Sequence, residues 1–172
     1  MPPAQGIPGG DGAIAAEVNL VPATAIMPTI YLAAPLFTAA ERAFNIALAA
    51  RLRAGLPAWT VAVPQEFCAP HEGDFGALYR ACRTNLEDSD VVVAVLDGAD
   101  PDSGTSWECG FACARGIPVI GLRTDLRPGE DGGLPNCMLS RSCACVVRGL
   151  DAVVAAVAAT AVRPATPPPP GR

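Results

Sequence analysis

Four carboxylates lie within twelve residues of this chain and could carry out nucleophilic or acid–base chemistry: Asp97, Asp100, Asp102 and Glu108. They follow the apolar run Val91–Val95, whose length and β-branched composition predict a buried strand. In an open parallel sheet, the loop after such a strand lies where these folds bind ligands. A glutamate at the start of the next helix would face that crevice, near the positive end of the helix dipole.

The same stretch also has an ordinary structural interpretation. Thr105 and Glu108 have the spacing of a capping box, in which the glutamate bonds back to the backbone at the start of its helix. Asp102 and Ser103 are common turn and cap residues. Spacing alone favours this capping interpretation over a catalytic one.

The elements that would position these carboxylates alternate between strand and helix. The predicted strands are residues 29–33, 59–63, 91–95, 118–122 and 143–147. The predicted helices are a first one capped by Thr38 and Glu41 and ending at Gly55, followed by residues 75–88, 105–115 and 150–161. This alternation predicts a five-stranded parallel sheet with helices on both faces, a flavodoxin- or Rossmann-like three-layer sandwich.

The remaining segments divide the chain into one domain with two flanking tails. Residues 1–27 show no periodicity and are predicted to be disordered, and residues 163–172 form a proline-rich disordered tail. The domain is predicted to span residues 28–162. Within it, residues 64–74 are predicted to form a loop, and so are residues 123–139, whose length is typical of a functional loop.

The ionisable residues of the 172-residue chain exclude several functions. Seventeen acidic residues outnumber twelve basic ones, and all twelve are arginine. Without lysine there is no Schiff-base or P-loop lysine. An acidic chain without a basic run argues against nucleic-acid binding, and no apolar run is long enough to span a membrane.

The cysteines and the single histidine give no sign of a metal site. Seven cysteines occur without a Cys-x-x-Cys pair, and His71 is the only histidine. Zinc sites usually show such ligands paired at short spacing, so buried thiols in a reducing cytoplasm are the favoured interpretation. His71 follows Pro70 in a predicted loop, which makes it a poor candidate for a catalytic triad. We expect no metal and no organic cofactor.

Three separated segments carry a family resemblance. They are residues 31–37, the stretch from Ser89 to Gly110, and the residues Asn136 to Met138. In combination and order they resemble the nucleoside 2-deoxyribosyltransferase family over about residues 29–148. The most specific part is the pattern Asp-Ser-Gly-Thr-x-x-Glu-x-Gly, which begins at Asp102.

The resemblance implies a covalent mechanism with Glu108 as the nucleophile. In that family the motif glutamate attacks the anomeric carbon of a 2-deoxynucleoside, the base leaves, and a second base attacks the deoxyribosyl-enzyme. A glutamate of ordinary pKa, about 4.3, is ionised at neutral pH and can stabilise and then trap an oxocarbenium-like centre. The resemblance further implies that Asp102 assists the leaving base and that Tyr31 orients the nucleophile.

The resemblance also implies a substrate-binding set and a shared site. The implied binding residues are Phe37, Cys82, Asp97, Gly104, Asn136 and Met138. Asn136 and Met138 match residues that the family supplies from a neighbouring subunit, which implies a homo-oligomer. The chain departs from the family pattern at Cys82, where many members have aspartate, and at Ala34, where glycine is usual.

Two other functions remain open. A 2-deoxynucleoside 5-phosphate N-hydrolase of the same superfamily would use the same nucleophile with water as acceptor. Such relatives hold the phosphate with serine near the position of Asn136, so the Asn136-x-Met138 pattern favours the transferase. A nucleotide-binding module without catalysis would need no nucleophile, and the pairing of Asp102 with Glu108 argues against it.

Overall fold

A sheet of five parallel strands forms the centre of the protein. The computed structural model describes residues 27–127 and 136–161. The strands are β1 (Thr29–Ala33), β2 (Thr60–Ala62), β3 (Val91–Val95), β4 (Val119–Leu122) and β5 (Cys145–Val147). The helices described are α1 (Ala39–Gly55), α2 (Pro64–Phe67), α3 (Phe75–Glu87), α4 (Ser103–Ala114), α5 (Cys137–Ser142) and α6 (Leu150–Ala158), with a 3₁₀ turn at Ala69–His71.

The order of the strands creates a crevice beside β1. Across the sheet they run β2-β1-β3-β4-β5, and every pair is parallel. The chain therefore moves from β1 to β2 on one side and then to β3 on the other. The carboxyl ends of β1 and β3 form the topological switch point, where such sheets bind ligands. The predicted fold class is confirmed.

Alternation along β1 assigns its side chains to two separate cores. Ile30 and Leu32 pack with the buried residues of α1 and α6 on one face of the sheet. Tyr31 and Ala33 face the other side, where α3 and α4 pack. Because side chains alternate along a strand, Tyr31 must share a face with α4, the helix that carries Glu108.

Several predicted boundaries differ from the structure. The segment 64–74 was predicted as a loop, but Pro64 starts α2, since proline is favourable at the first helical position. The segment 123–139 was also predicted as a loop, but its end enters α5, whose N-cap Asn136 accepts a hydrogen bond from Leu139 N. Strands β2 and β5 and helix α6 are shorter than predicted.

The capping box of α1 is confirmed. Thr38 Oγ1 accepts from Glu41 N at 3.2 Å, and Glu41 Oε2 accepts from Thr38 N at 2.7 Å. The predictions for residues 1–26, 128–135 and 162–172 fall outside the described residues. Within the described ranges, no helix has the length and apolar character needed to cross a membrane.

Candidate active site

A hydrogen bond between Tyr31 and Glu108 lies at the centre of the site. The Tyr31 hydroxyl donates to Glu108 Oε1 at 2.6 Å, across 77 positions of the sequence. Tyr31 is fully buried in the middle of β1, and Glu108 lies on the second turn of α4 with its side chain half-buried. A short bond to a carboxylate is charge-assisted, so the rigid strand sets the direction in which Glu108 points.

Asp102 forms the N-cap of α4. Its Oδ2 accepts from Thr105 N at 3.0 Å, and α4 begins at Ser103. The capping box predicted for Thr105 and Glu108 is therefore wrong, since Thr105 is the third helical residue and Glu108 is bonded to Tyr31. The carboxylate implied as the acid thus lies at the start of the helix that carries the implied nucleophile.

Gly104 leaves room for the Asp102 carboxylate. A Cβ at Gly104 would lie 3.0 Å from Asp102 Oδ2, which is closer than nearly all real Cβ contacts. The resemblance implied a substrate-binding role for Gly104. The structure places it next to Asp102, so a larger residue there would require the Asp102 carboxylate to shift by a few tenths of an ångström.

Burial shifts the ionisation of both central groups. It raises the pKa of Glu108 to about 7; the nearby charge of Asp102 also raises this pKa, whereas the hydrogen bond from Tyr31 lowers it. The ordinary value assumed for Glu108 therefore does not hold, and near pH 7 about half of the molecules carry the charge. Burial, followed by the charge of Glu108, raises the pKa of Tyr31, which remains a donor.

Two thiols adjoin the Tyr31–Glu108 pair. Cys82, on α3, lies close enough to Tyr31 to contribute to the raised pKa of that hydroxyl. Cys68 follows α2, and its Sγ lies 3.5 Å from Cys82 Sγ. The family resemblance singled out Cys82. Cys68 was missed, because its segment was predicted as a loop and no spacing pattern connects it to the site.

The loop after β1 is held by the first turn of α1. Glu41 Oε2 accepts from Phe37 N at 2.9 Å as well as from Thr38 N, and Arg42 Nη1 donates to the carbonyls of Leu36 and Phe37 at 3.0 Å. The Phe37 side chain remains 73% exposed. A fixed loop thus presents an aromatic ring at the carboxyl end of β1.

Asp97 joins the loops that follow β3 and β4. Its two carboxylate oxygens accept from Thr124 N and Thr124 Oγ1 at 2.6 Å and from Asp125 N at 2.8 Å. The resemblance implied a substrate contact for Asp97. In the structure its carboxylate is occupied by the neighbouring loop, so its local effect is to fix the rim of the crevice.

Arg123 stabilises the loop that follows β3, on the same rim of the crevice. It is only 1% exposed, and its Nη1 donates to the carbonyls of Leu96 at 2.7 Å and Gly98 at 3.2 Å. Gly98 has a φ of +107°, a conformation that favours glycine, and its N–H donates to Asp125 Oδ2. Sequence reasoning missed Arg123, because an arginine directly after a strand is typical of an exposed loop.

A cleft of about 310 Å³ opens beside β1 and β3, at the lower end of the range for small-molecule sites. Its lining residues are Pro35, Ala40, Glu41, Phe44, Asn45, Val95, Asp97 and Gly98. Neither Tyr31 nor Glu108 lines it. The cleft lies on the α1 side of the crevice, and the Tyr31–Glu108 pair lies on the α4 side.

The remaining candidates lie apart from this pair. Asn136 caps α5, which packs against α4, and Met138 is 79% exposed. Within the ranges that the structure describes, neither side chain hydrogen-bonds to the residues of the pair. His71 lies in the 3₁₀ turn. The described residues contain no cluster of three or more His, Cys, Asp or Glu side chains arranged for a metal ion.

A comparison with protein families identifies the family to which this chain belongs. A family model described as nucleoside 2-deoxyribosyltransferase matches residues 30–139, a range that contains Tyr31, Asp102 and Glu108. The chain belongs to the nucleoside 2-deoxyribosyltransferase family. Members of this family act on nucleosides and nucleobases, and the protein is an enzyme of this superfamily.

Solved structures agree with this family assignment. A conserved protein from Enterococcus faecalis is 29% identical with a TM-score of 0.67, over 75% of this chain and 96% of that chain. A 2-deoxyribosyltransferase from Leishmania mexicana is 26% identical with a TM-score of 0.52, over 65% and 85%. A 2-deoxyribosyltransferase from Bacillus psychrosaccharolyticus is 24% identical with a TM-score of 0.61, over 73% and 90%, and shows the fold alone. A search of curated protein sequences gave no significant match.

Proposed function

We propose that this enzyme transfers 2-deoxyribose between nucleobases through a covalent deoxyribosyl–Glu108 intermediate, as a step in nucleoside salvage. The observation that carries the proposal is the 2.6 Å hydrogen bond from Tyr31 to Glu108, at the switch point of the sheet. A half-buried carboxylate with one oxygen fixed in direction has the features of a positioned nucleophile.

The first half-reaction forms a bond between Glu108 and the anomeric carbon of the substrate. Among the described residues Glu108 has one side-chain hydrogen bond, at Oε1, so Oε2 is the oxygen proposed to attack. The N-glycosidic bond breaks and its electron pair leaves with the base. An acceptor base then attacks the same carbon and releases Glu108. Two inversions give net retention, and the product is again a β-nucleoside.

Asp102 is the proposed acid for the leaving base. Both hydrogen bonds that it accepts from Thr105 fall on Oδ2, which leaves Oδ1 for the substrate. The negative charge of Asp102 is close enough to raise the pKa of Glu108. Asp102 acts from its protonated form: it gives its proton to the base nitrogen, so that the base does not leave as a poor anion, and it regains a proton from the acceptor base in the second half-reaction.

A second copy of the chain is proposed to complete the site. Four large apolar side chains are exposed on or beside α3, α4 and α5: Phe75, Tyr79, Trp107 and Met138. Trp107 stacks on Phe111 with ring centroids 5.2 Å apart. An exposed apolar surface of this kind is typical of a subunit contact, and a closed symmetric assembly would bring Asn136 and Met138 to the neighbouring site.

The alternative function is hydrolysis of a 2-deoxynucleoside 5-phosphate, with water in place of the acceptor base. Asn136 with Met138 favours a free 5-hydroxyl and therefore the transferase. The seven free thiols fit a reducing cytoplasm, where we propose that the enzyme acts on small molecules without a metal or organic cofactor.

Two incubations separate the functions. The protein with deoxyinosine and adenine should form deoxyadenosine, and the protein with a deoxynucleoside monophosphate in water should leave it intact. Hydrolysis of the monophosphate without transfer would support the alternative. No reaction in either incubation would contradict both enzymatic functions.

A further inference from the structure

Cys68 and Cys82 form a pair of facing thiols beside the candidate nucleophile. Their Sγ atoms are 3.5 Å apart, and both residues are half-buried, so a small oxidant can reach them. Cys68 lies between α2 and the 3₁₀ turn, whereas Cys82 lies in the middle of α3. The proposed mechanism uses neither thiol as a reacting group.

We propose that Cys68 and Cys82 are a modification site, which a peroxide oxidises to an intrachain disulfide that lowers the activity of the site. The activity half of this inference rests on the proposed function. A disulfide requires the two sulfurs to approach to about 2.05 Å. Because Cys68 ends a helix of only four residues, its side chain can move toward α3 with little disturbance of the sheet.

The oxidation is balanced with hydrogen peroxide as the oxidant. The Cys82 thiolate attacks one peroxide oxygen, the O–O bond breaks, and Cys82 becomes a sulfenic acid while the other oxygen leaves as water after protonation. Cys68 then attacks the Cys82 sulfur, an S–S bond forms, and the sulfenic oxygen leaves as a second water. Two thiols and one peroxide thus give one disulfide and two waters. Burial raises the pKa of Cys68 to about 12, so Cys68 remains a thiol while Cys82 reacts; in the second step its proton leaves with the sulfenic oxygen as water.

Oxidation changes the surroundings of Tyr31 directly. The Cys82 thiol adjoins the Tyr31 hydroxyl, and that hydroxyl donates a hydrogen bond to Glu108 Oε1. Closing the sulfur–sulfur distance from 3.5 Å to about 2.05 Å moves the side chain of Cys68, of Cys82 or of both, and so changes the packing next to that hydroxyl. Because small displacements in a reacting site reduce rates strongly, we expect transfer to fall by about tenfold or more.

Peptide mapping tests the disulfide without reference to activity. Trypsin cleaves after Arg53, Arg80 and Arg83, so Cys68 and Cys82 fall in the separate peptides 54–80 and 81–83. The full-length protein is treated with hydrogen peroxide, alkylated and digested without reductant. We expect these two peptides to be linked, and to separate after dithiothreitol. Oxidation of other cysteines without this link would overturn the proposal.

The activity measurement uses Cys68→Ser with Cys113→Ser as the matched control. Reduced Cys68→Ser should retain the transfer rate and lose the response to peroxide, whereas Cys113→Ser, changed at an exposed cysteine of α4, should keep both. Dithiothreitol should restore the oxidised wild type. If the protein with the Cys68–Cys82 disulfide transfers at the rate of the reduced protein, the proposed loss of activity is wrong. If the reduced protein has no transferase activity, only the proposed function fails, and calorimetric binding of a 2-deoxynucleoside to the two forms makes the same comparison.

Discussion

Asp102 affects the ionisation of Glu108, which lies on the helix that Asp102 caps. Asp102 caps the N-terminus of α4, and its charge raises the pKa of Glu108 on the second turn. Tyr31 opposes this effect, because its hydrogen bond stabilises the charged carboxylate. Burial raises the pKa of Glu108 most, and two neighbours then change it in opposite directions, which separate substitutions can distinguish.

Asp102→Asn should lower the rate without loss of the helix. Asparagine is as good an N-cap as aspartate, so the bond from Thr105 N can be kept while the proton donor is lost. We expect a fall in kcat of about a hundredfold or more. Loss of the negative charge should also move the rising limb of kcat/KM, which follows ionisation of Glu108, to lower pH.

Asp100→Asn is the matched control, since Asp100 is an exposed acid of the same loop. It should leave both the rate and the pH profile unchanged. If Asp102→Asn turns over at the wild-type rate, Asp102 serves only as a helix cap.

Tyr31→Phe should shift the rising limb of kcat/KM to higher pH. Without the hydroxyl, the charged form of Glu108 loses its stabilising bond, and its pKa should rise above about 7. The activity lost at neutral pH should therefore recover in part at higher pH. Tyr79→Phe, at an exposed tyrosine of α3, is the control and should leave the profile unmoved. If the rising limb of kcat/KM for Tyr31→Phe lies at the same pH as in the wild type, Tyr31 does not stabilise the charged form of Glu108.

Glu108→Gln should stabilise the fold above neutral pH. The pKa of Glu108 is raised from 4.5 in the unfolded chain to about 7 in the folded protein, so folding disfavours the charged form as pH rises through this window. At pH 8 this corresponds to about 3 kcal/mol of lost stability, which glutamine avoids. Below pH 4.5 the two proteins should be equally stable. Urea unfolding at pH 4 and pH 8 tests this; equal stabilities at both values would contradict the raised pKa.

The sequence predicts those parts of the structure that depend on interactions between residues close together in the chain. The strand Val91–Val95 and the capping box of Thr38 with Glu41 depend on neighbouring residues, and both are found where their patterns predict. The start of α4 was not predicted correctly. Asp102 and Thr105 are both residue types that cap helices. A capping box at Thr105 would need Glu108 as its partner, but Glu108 is hydrogen-bonded to Tyr31, 77 residues earlier.

Other parts of the site were beyond any local pattern. The contact of Tyr31 with Glu108 was implied by the family resemblance, since hydrophobic periodicity identifies Tyr31 only as a core residue. Arg123 is buried because its guanidinium finds carbonyls on a neighbouring loop, and this partner depends on the pairing of β3 with β4. The contact of Cys68 with Cys82 likewise depends on how the 3₁₀ turn that follows Cys68 packs against α3.

Asn136 is expected to act in the site of a neighbouring subunit. Homo-oligomers of Glu108→Ala and of Asn136→Ala should both be weak. When they exchange subunits, each mixed dimer has one site with both defects and one with neither. Random mixing should therefore restore about a quarter of wild-type sites, as the symmetry of a dimer requires.

The exchange must be monitored independently, by native mass spectrometry of the mixed population. Two Glu108→Ala preparations mixed in the same way provide the control and should recover nothing. If subunits exchange and the Glu108→Ala and Asn136→Ala mixture stays inactive, Asn136 acts in its own chain or not at all.

The most direct test of the proposed mechanism is the mass of the protein after incubation with a 2-deoxynucleoside alone. Trypsin should release Glu108 in the peptide 84–115, because no arginine lies between Arg83 and Arg115. After acid denaturation, we expect that peptide to carry one deoxyribosyl group, which fragmentation places on Glu108. Glu108→Gln treated in the same way should carry none. Transfer between bases by wild type with no adduct on Glu108, or by Glu108→Gln at the wild-type rate, would contradict the covalent mechanism.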